Sequence, residues 1–160
     1  MAAPKSKPKT KDSSAERELQ VFIDRFTPEI ATAARACLEK MRDKLPGAVQ
    51  LVYDNYNALA IGFGPSERAS EAIFSIVLYP RWVTLFFLQG AGLPDRKKLL
   101  KGSGKVVRHI VLASADDLDE PAIEGLMTMA LNRAKVAMDP EARGSLVIRA
   151  IAPKQRPRRP

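Results

Sequence analysis

The stretch AIFSIVLYPRWVTLFFLQ, residues 72–89, contains two apolar runs on either side of the turn sequence Tyr79-Pro80-Arg81-Trp82. Each run is short and rich in β-branched and aromatic residues, which is typical of β-strands. Because the connection is short, we expect the two strands to pair as an antiparallel hairpin. Apolar residues occupy both alternating positions of each run, so much of both faces of the hairpin is expected to be covered.

Similar runs lie on both sides of this hairpin, and turn-forming residues separate them. They are AVQLVY (48–53), ALAIGFG (58–64) and KVVRHIVL (105–112). Taken in chain order, these segments predict an antiparallel meander of five strands. A later run, GSLVIRAI (144–151), predicts one more strand.

Two helices are predicted before the first strand. The first begins after Ser14, where AERELQVFIDRF has apolar residues at helical spacing. The second begins at Thr27, which is a good N-cap and is followed by a first-turn proline, and it ends at Pro46. These two helices are expected to form a bent pair.

A third helix is predicted after the fifth strand. It begins near Pro121, its apolar stripe continues to Met138, and Pro140 ends it. The order of elements predicts an α+β fold: an antiparallel sheet of five to six strands, with the N-terminal helix pair and the C-terminal helix on one face.

The net charge of +8 is concentrated at the two ends of the chain. Residues 1–14 hold four lysines and one aspartate, residues 149–160 hold five Lys/Arg and no acid, and the rest is balanced. Such composition predicts disordered basic tails, 1–14 and 153–160, around a single domain, 15–152. The tails are interpreted either as solvated ends that aid solubility or as weak contacts for polyanions.

The apolar runs are shorter than a membrane span, and no apolar stretch follows the N-terminal lysines. We therefore expect no membrane association and no export. The single cysteine, Cys37, excludes an internal disulfide and lies on the apolar stripe of the second helix, which favours a buried thiol. A cytoplasmic location is the resulting prediction.

The segment KGSGKVVRHI, residues 101–110, has the glycines and lysines of a phosphate-binding loop. The P-loop motif nevertheless fails, because Leu99 stands at its first glycine and Val106 at its hydroxyl position. What remains is a Gly-Ser-Gly turn flanked by Lys101 and Lys105. It is interpreted either as a tight turn alone or as a seat for a small anion.

No catalytic residue, metal site or cofactor is predicted. The only histidine, His109, lies inside an apolar strand without an orienting carboxylate nearby, which favours a structural role. The acidic run DDLDEPAIE (116–124) matches the start of a helix better than a calcium loop.

Two turns carry unusual groups of side chains, YDNYN at 53–57 and YPRW at 79–82. If these turns and the KGSGK turn share one edge of the sheet, they gather aromatic rings, an arginine and lysines around a shallow pocket for a planar or anionic ligand. The predicted site consists of Tyr53, Asn55, Tyr56, Arg81, Trp82, Lys101 and Lys105.

Four blocks in order carry a family resemblance: LPGAVQLVYDNYNALAIGFG (45–64), AIFSIVLYPRWVTLFFLQGAGLPD (72–95), KLLKGSGKVVRHIVL (98–112) and LVIRAIAPKQRPRR (146–159). Together they resemble the YdhG-like family of small bacterial domains of unknown function. The resemblance implies a domain similar in shape to frataxin. It implies no established enzymatic activity, and one branch of the family looks like an intracellular iron chaperone.

The leading hypothesis is a non-enzymatic cytoplasmic binding or adaptor domain with a shallow pocket for a small anionic or planar ligand. One alternative is the iron or metal chaperone that the resemblance implies. Another is a nucleic-acid accessory protein that acts through its basic tails. A homodimer is a further hypothesis, because a second copy would cover strands that are apolar on both faces.

Overall fold

The hairpin at 72–89 forms two internal strands of the sheet in the computed structural model, which describes residues 10–160. Five strands follow one another in the sheet in chain order, each antiparallel to the one before. They are β1 (Val49–Asp54), β2 (Leu59–Gly64), β3 (Phe74–Leu78), β4 (Val83–Phe87) and β5 (Arg108–Leu112). The predicted meander is confirmed.

Three α-helices accompany the sheet: α1 (Thr10–Asp24), α2 (Pro28–Lys44) and α3 (Pro121–Arg133). Two short 3-10 turns lie at Ala69–Glu71 and Ala115–Asp119. The cap predicted for α2 is present, since the Thr27 hydroxyl accepts a hydrogen bond from the Ile30 amide at 3.3 Å. No helix among residues 10–160 is long and apolar enough to cross a membrane.

The helices pack on one face of the sheet, as predicted. One continuous core joins them to alternate residues of the strands, such as Phe74, Ile76 and Leu78 of β3. Cys37 of α2 belongs to this core and is buried, so its predicted structural role is confirmed. Burial is the main reason that the pKa of the Cys37 thiol rises to about 11, which keeps the thiol protonated near neutral pH.

The last strand corrects the prediction of a purely antiparallel sheet. β6 (Ser145–Ile151) pairs in parallel with β1, so the sheet is mixed, in the order β5-β4-β3-β2-β1-β6. A parallel pair requires a long crossover connection, and the chain between β5 and β6 contains α3. The predicted helix at residues 121–138 was therefore the sequence signal for a crossover connection and a parallel pair, which the pattern of the strands does not show.

Two glycines allow the start of β6 to lie beside the start of β1. Gly47 and Gly144 have positive φ angles, +83° and +74°. A Cβ atom on Gly144 would lie 2.9 Å from the Ala48 carbonyl oxygen, and one on Gly47 would overlap the Asp139 carbonyl oxygen. Only glycine fits both the backbone conformation and this close approach.

Two helix boundaries differ from the predictions. α1 begins at Thr10, so residues 10–14 belong to a helix and only residues 1–9 of the predicted tail lie outside the described residues. α3 ends at Arg133. Ala134 and Met138 still pack against the core, but from a non-helical segment, which shows that tertiary contact and not helical geometry explains their apolar character.

Candidate functional site

The face of the sheet opposite the helices carries a large open groove. Its volume is about 1300 Å³. The floor consists of residues that alternate with the core positions of β2, β3 and β4 and of the segment just after β4, namely Ala60, Ser75, Val77, Phe86 and Leu88. We call this cavity, with all its lining residues, the sheet groove.

Two turns form walls of the sheet groove at one end of the sheet. The turn between β1 and β2 contributes Asn55, Tyr56 and Asn57, and the turn between β3 and β4 contributes residues 79–82. Alternate turns of a meander lie at the same end of the sheet, which brings the two together. The rings of Tyr79 and Trp82 are 5.6 Å apart, centroid to centroid.

The third wall is the C-terminal segment that the sequence predicted to be disordered. Arg156, Pro157, Arg159 and Pro160 line the sheet groove. The segment follows the turn between β1 and β2, because the Arg156 amide donates to the Tyr56 carbonyl oxygen at 2.9 Å. The prediction of a free tail at 153–160 is therefore wrong for this structure.

A buried ion pair holds the C-terminal segment in place. The guanidinium of Arg158 donates to the Asp54 carboxylate at 2.8 Å and to the Asn55 carbonyl oxygen at 2.6 Å. It also lies over the ring of Phe26, 5.6 Å from the centroid. Arg25 contacts the other Asp54 oxygen at 3.2 Å. Asp54 is thus the last residue of β1, and Arg158 in the C-terminal segment neutralises its charge.

The sheet groove is electropositive. Its lining contains three arginines, Arg81, Arg156 and Arg159, and no acidic residue among the residues that the structure describes there. Arg159 donates to the carbonyl oxygens of Arg25 and Asp24, at 3.0 and 3.3 Å. Within residues 10–160, the side chains of Arg81 and Arg156 have no hydrogen-bond or ion-pair partner, and both residues are exposed. These two guanidiniums are free to contact a ligand.

The structure brings together four of the seven predicted site residues. Asn55, Tyr56, Arg81 and Trp82 all line the sheet groove. Tyr53 lines a separate cavity of about 240 Å³, which shares Ser75 and Leu88 with the groove.

Lys101 and Lys105 line neither cavity, which corrects the expectation that the KGSGK turn shares an edge with the other two turns. That turn belongs to the connection between β4 and β5, residues 88–107, so it lies at the opposite end of the meander. The backbone of Lys101 pairs with that of His109, with N–O distances of 2.8 and 2.9 Å. The Arg108 guanidinium donates to the Gly104 carbonyl oxygen at 2.6 Å.

The sequence interpretation missed several groove residues. Arg156 and Arg159 were assigned to a disordered tail, and nothing local in the sequence connects that tail to Asp54. Phe86 was assigned to a covered strand, but its ring lies on the groove floor, 5.4 Å from the ring of His109. Apolar residues in both alternation classes of β4 were the available signal for an aromatic surface outside the core.

Metal-binding side chains are not grouped in the part of the chain that the structure describes. No set of three or more His, Cys, Asp or Glu residues within 10–160 is placed to hold a metal ion. The iron role that the family resemblance implies stays a prediction.

Comparison with protein-family models, with curated proteins and with solved structures found no match for the chain. The resemblance to the YdhG-like family stays an interpretation of the sequence blocks. The geometry and charge of the sheet groove are thus the basis for a functional hypothesis.

Proposed function

We propose that the protein is a binding domain whose sheet groove takes a ligand that is both planar and anionic. One observation carries this proposal: a single cavity combines the adjacent rings of Tyr79 and Trp82 with three arginines and no acidic side chain among the described lining residues. Aromatic faces stack on planar groups, and guanidiniums form paired hydrogen bonds with carboxylates and phosphates.

The composition of the groove lining supports a binding or adaptor role over an enzymatic one. Among the described lining residues there is no acidic, histidine or cysteine side chain to serve as a general base or a strong nucleophile. Burial raises the pKa of the Tyr79 hydroxyl above its usual 10.0, so this side chain stays neutral at physiological pH.

A cytoplasmic location and membership of the YdhG-like family belong to the same proposal. The lone buried cysteine supports the location, and the order of the sequence blocks supports the family membership.

Trp82 provides a direct test, because it is the only tryptophan of the chain and lies on the groove wall. Its fluorescence is titrated with adenosine monophosphate, with adenosine and with inorganic phosphate. We expect the nucleotide to quench Trp82 and to bind at least about tenfold more tightly than either half of the molecule, since stacking and charge pairing each contribute.

The double variant R81Q/R156Q should weaken nucleotide binding by at least about tenfold, because it removes the two unpaired guanidiniums. The matched control is R96Q, since Arg96 is an exposed arginine that does not line the sheet groove. Phosphate binding as tight as nucleotide binding, or a nucleotide that leaves Trp82 fluorescence unchanged, would contradict the proposed function.

A further inference from the structure

We infer that the ligand of the sheet groove is a single-stranded nucleic acid, bound over at least two nucleotides. This inference rests on the proposed function and narrows its ligand class. It is carried by the size of the groove, by two separate aromatic platforms on its floor and wall, and by the distribution of charge around it.

The size of the groove exceeds what a single small ligand needs. Its volume of about 1300 Å³ lies above the range of roughly 300 to 1000 Å³ that is usual for small-molecule sites. The groove also adjoins the cavity lined by Tyr53, since Ser75 and Leu88 line both. The open face of the sheet therefore continues past the groove, as a site for an extended ligand requires.

Two aromatic platforms lie along β4. Tyr79 and Trp82 form one at the turn, and Phe86 on the groove floor forms the other; the ring of His109, which does not line the groove, lies 5.4 Å from that of Phe86. Trp82 directly precedes β4 and Phe86 lies within it, four residues further along an extended chain, which separates them by roughly 13 Å at about 3.3 Å per residue. One base cannot cover both platforms, whereas two bases of the same strand can. Aromatic side chains on an open sheet are a known means of stacking the bases of single strands.

The charge of the groove complements a sugar-phosphate backbone. Arg81 lies on the wall formed by the turn before β4, and Arg156 lies on the wall formed by the C-terminal segment, so cations flank the aromatic floor. The described lining residues include no acidic side chain that would repel phosphates. Asn55 and Asn57 add exposed amides, which form hydrogen bonds with base edges.

The test measures binding of fluorescein-labelled thymidine and uridine hexanucleotides by anisotropy, and quenching of Trp82 by the unlabelled strands. We expect a hexanucleotide to bind at least about tenfold more tightly than thymidine monophosphate, because it uses both platforms. A preference for the uridine or the thymidine strand identifies RNA or DNA as the ligand.

Three variants locate the binding. W82A should weaken anisotropy-detected binding by about tenfold or more, since stacking is lost. R81Q/R156Q should do the same and should reduce the slope of log affinity against log salt by about 0.7 per arginine. R96Q should bind like the wild type. Trp82, Arg81 and Arg156 are all exposed, so these variants should fold normally, which circular dichroism verifies.

The outcomes separate this inference from the proposed function. If thymidine monophosphate binds as tightly as the hexanucleotide, as measured by quenching of Trp82, the result supports the proposed function and overturns the inference. Inorganic polyphosphate that competes as well as the hexanucleotide also overturns it, because bases then contribute nothing. Hexanucleotide binding that W82A and R81Q/R156Q leave unchanged overturns it by placing the nucleic acid elsewhere on the chain. If neither mononucleotides nor strands quench Trp82, the proposed function fails as well.

Discussion

The guanidinium of Arg158 lies 2.8 Å from the carboxylate of Asp54, although 104 residues separate the two in the chain. Both side chains are almost fully buried, with 5% and 1% of their surfaces exposed. When one partner of a buried ion pair is removed, the other charge stays buried without compensation, which costs several kcal/mol. The contact therefore ties the C-terminal wall of the sheet groove to the stability of the fold.

The variant R158A should lower the free energy of unfolding by about 3 kcal/mol, the low end of the usual range, because Asp54 keeps its contact with the half-exposed Arg25. Urea denaturation measures the loss. The control is R149A, since Arg149 pairs with Glu67 at 3.9 Å and both side chains are largely exposed, so a loss below about 1 kcal/mol is expected. Equal losses of unfolding free energy for the two variants would show that the Arg158–Asp54 pair does not stabilise the fold more than a surface ion pair does.

Hydrogen exchange tests whether the same pair holds the C-terminal segment. The Arg156 amide bonds to the Tyr56 carbonyl oxygen in the folded protein and should be protected. In R158A this protection should fall sharply, while the Leu88 amide, which bonds to the Ile73 carbonyl oxygen, should stay protected. Unchanged exchange of the Arg156 amide would mean that the C-terminal segment keeps its position without the ion pair between Arg158 and Asp54.

Thr84 offers a substitution that should stabilise the protein. Its hydroxyl is buried and has no hydrogen-bond partner among the described residues, which costs free energy in the folded state. T84V keeps the shape of the side chain and should raise the free energy of unfolding by about 1 kcal/mol. T27V should lower it by about 1 kcal/mol, because the Thr27 hydroxyl caps α2. Thermal denaturation of both variants shows whether each substitution raises or lowers stability, and a destabilised T84V would contradict the prediction.

Gly47 and Gly125 should respond in opposite ways to alanine. G47A places a Cβ atom against the Asp139 carbonyl oxygen at a φ of +83°, so a loss of about 2 kcal/mol or more is expected. Gly125 lies inside α3, and apart from its chain neighbours and the backbone of its own helix no atom lies within 4 Å of an added Cβ, so G125A should gain up to about 1 kcal/mol from helix propensity. Denaturant midpoints compare the variants. A tolerated G47A would mean that β6 can start beside β1 without this glycine.

The buried Cys37 predicts a loss of stability in mild alkali. Burial, with a smaller effect of Asp117, raises the pKa of Cys37 from 9.0 to about 11. Above pH 9 the unfolded chain releases this proton while the folded chain keeps it, so stability falls as pH rises. The expected fall between pH 9 and pH 10 is about 1 kcal/mol. C37A should lack this part of the pH dependence, and an identical slope in C37A would rule out the thiol as its source.

The elements of the fold were largely predictable because their signals are local. Alternating apolar runs and turn residues identified the meander, and helical spacing with the Thr27 cap identified α2. The ends of α1 and α3 were less predictable, since packing of Ala134 and Met138 against the core mimics a helical stripe. The parallel pairing of β6 with β1 depends on a crossover and on close backbone approach at Gly47 and Gly144, which single segments do not encode.

The candidate site was predictable only in part. The turns at Asn55–Tyr56 and Arg81–Trp82 were recognised from their unusual side chains, and the meander brings them to the same end of the sheet. The same alternation places Lys101 and Lys105 at the other end. Because neighbouring strands of a meander run in opposite directions, every second turn lies at the same end of the sheet, and this decides which turns come together.

The sequence by itself determined the α+β class, the five-stranded meander and the position of an aromatic turn beside an arginine, because hydrophobic period and turn chemistry act over a few residues. The tertiary structure alone decided that the basic C-terminal segment becomes a wall of the sheet groove. Composition favoured a solvated tail, but the buried carboxylate of Asp54 requires a cation, and only the folded chain brings Arg158 to it. That long-range contact turns a charge surplus at the end of the chain into an electropositive groove.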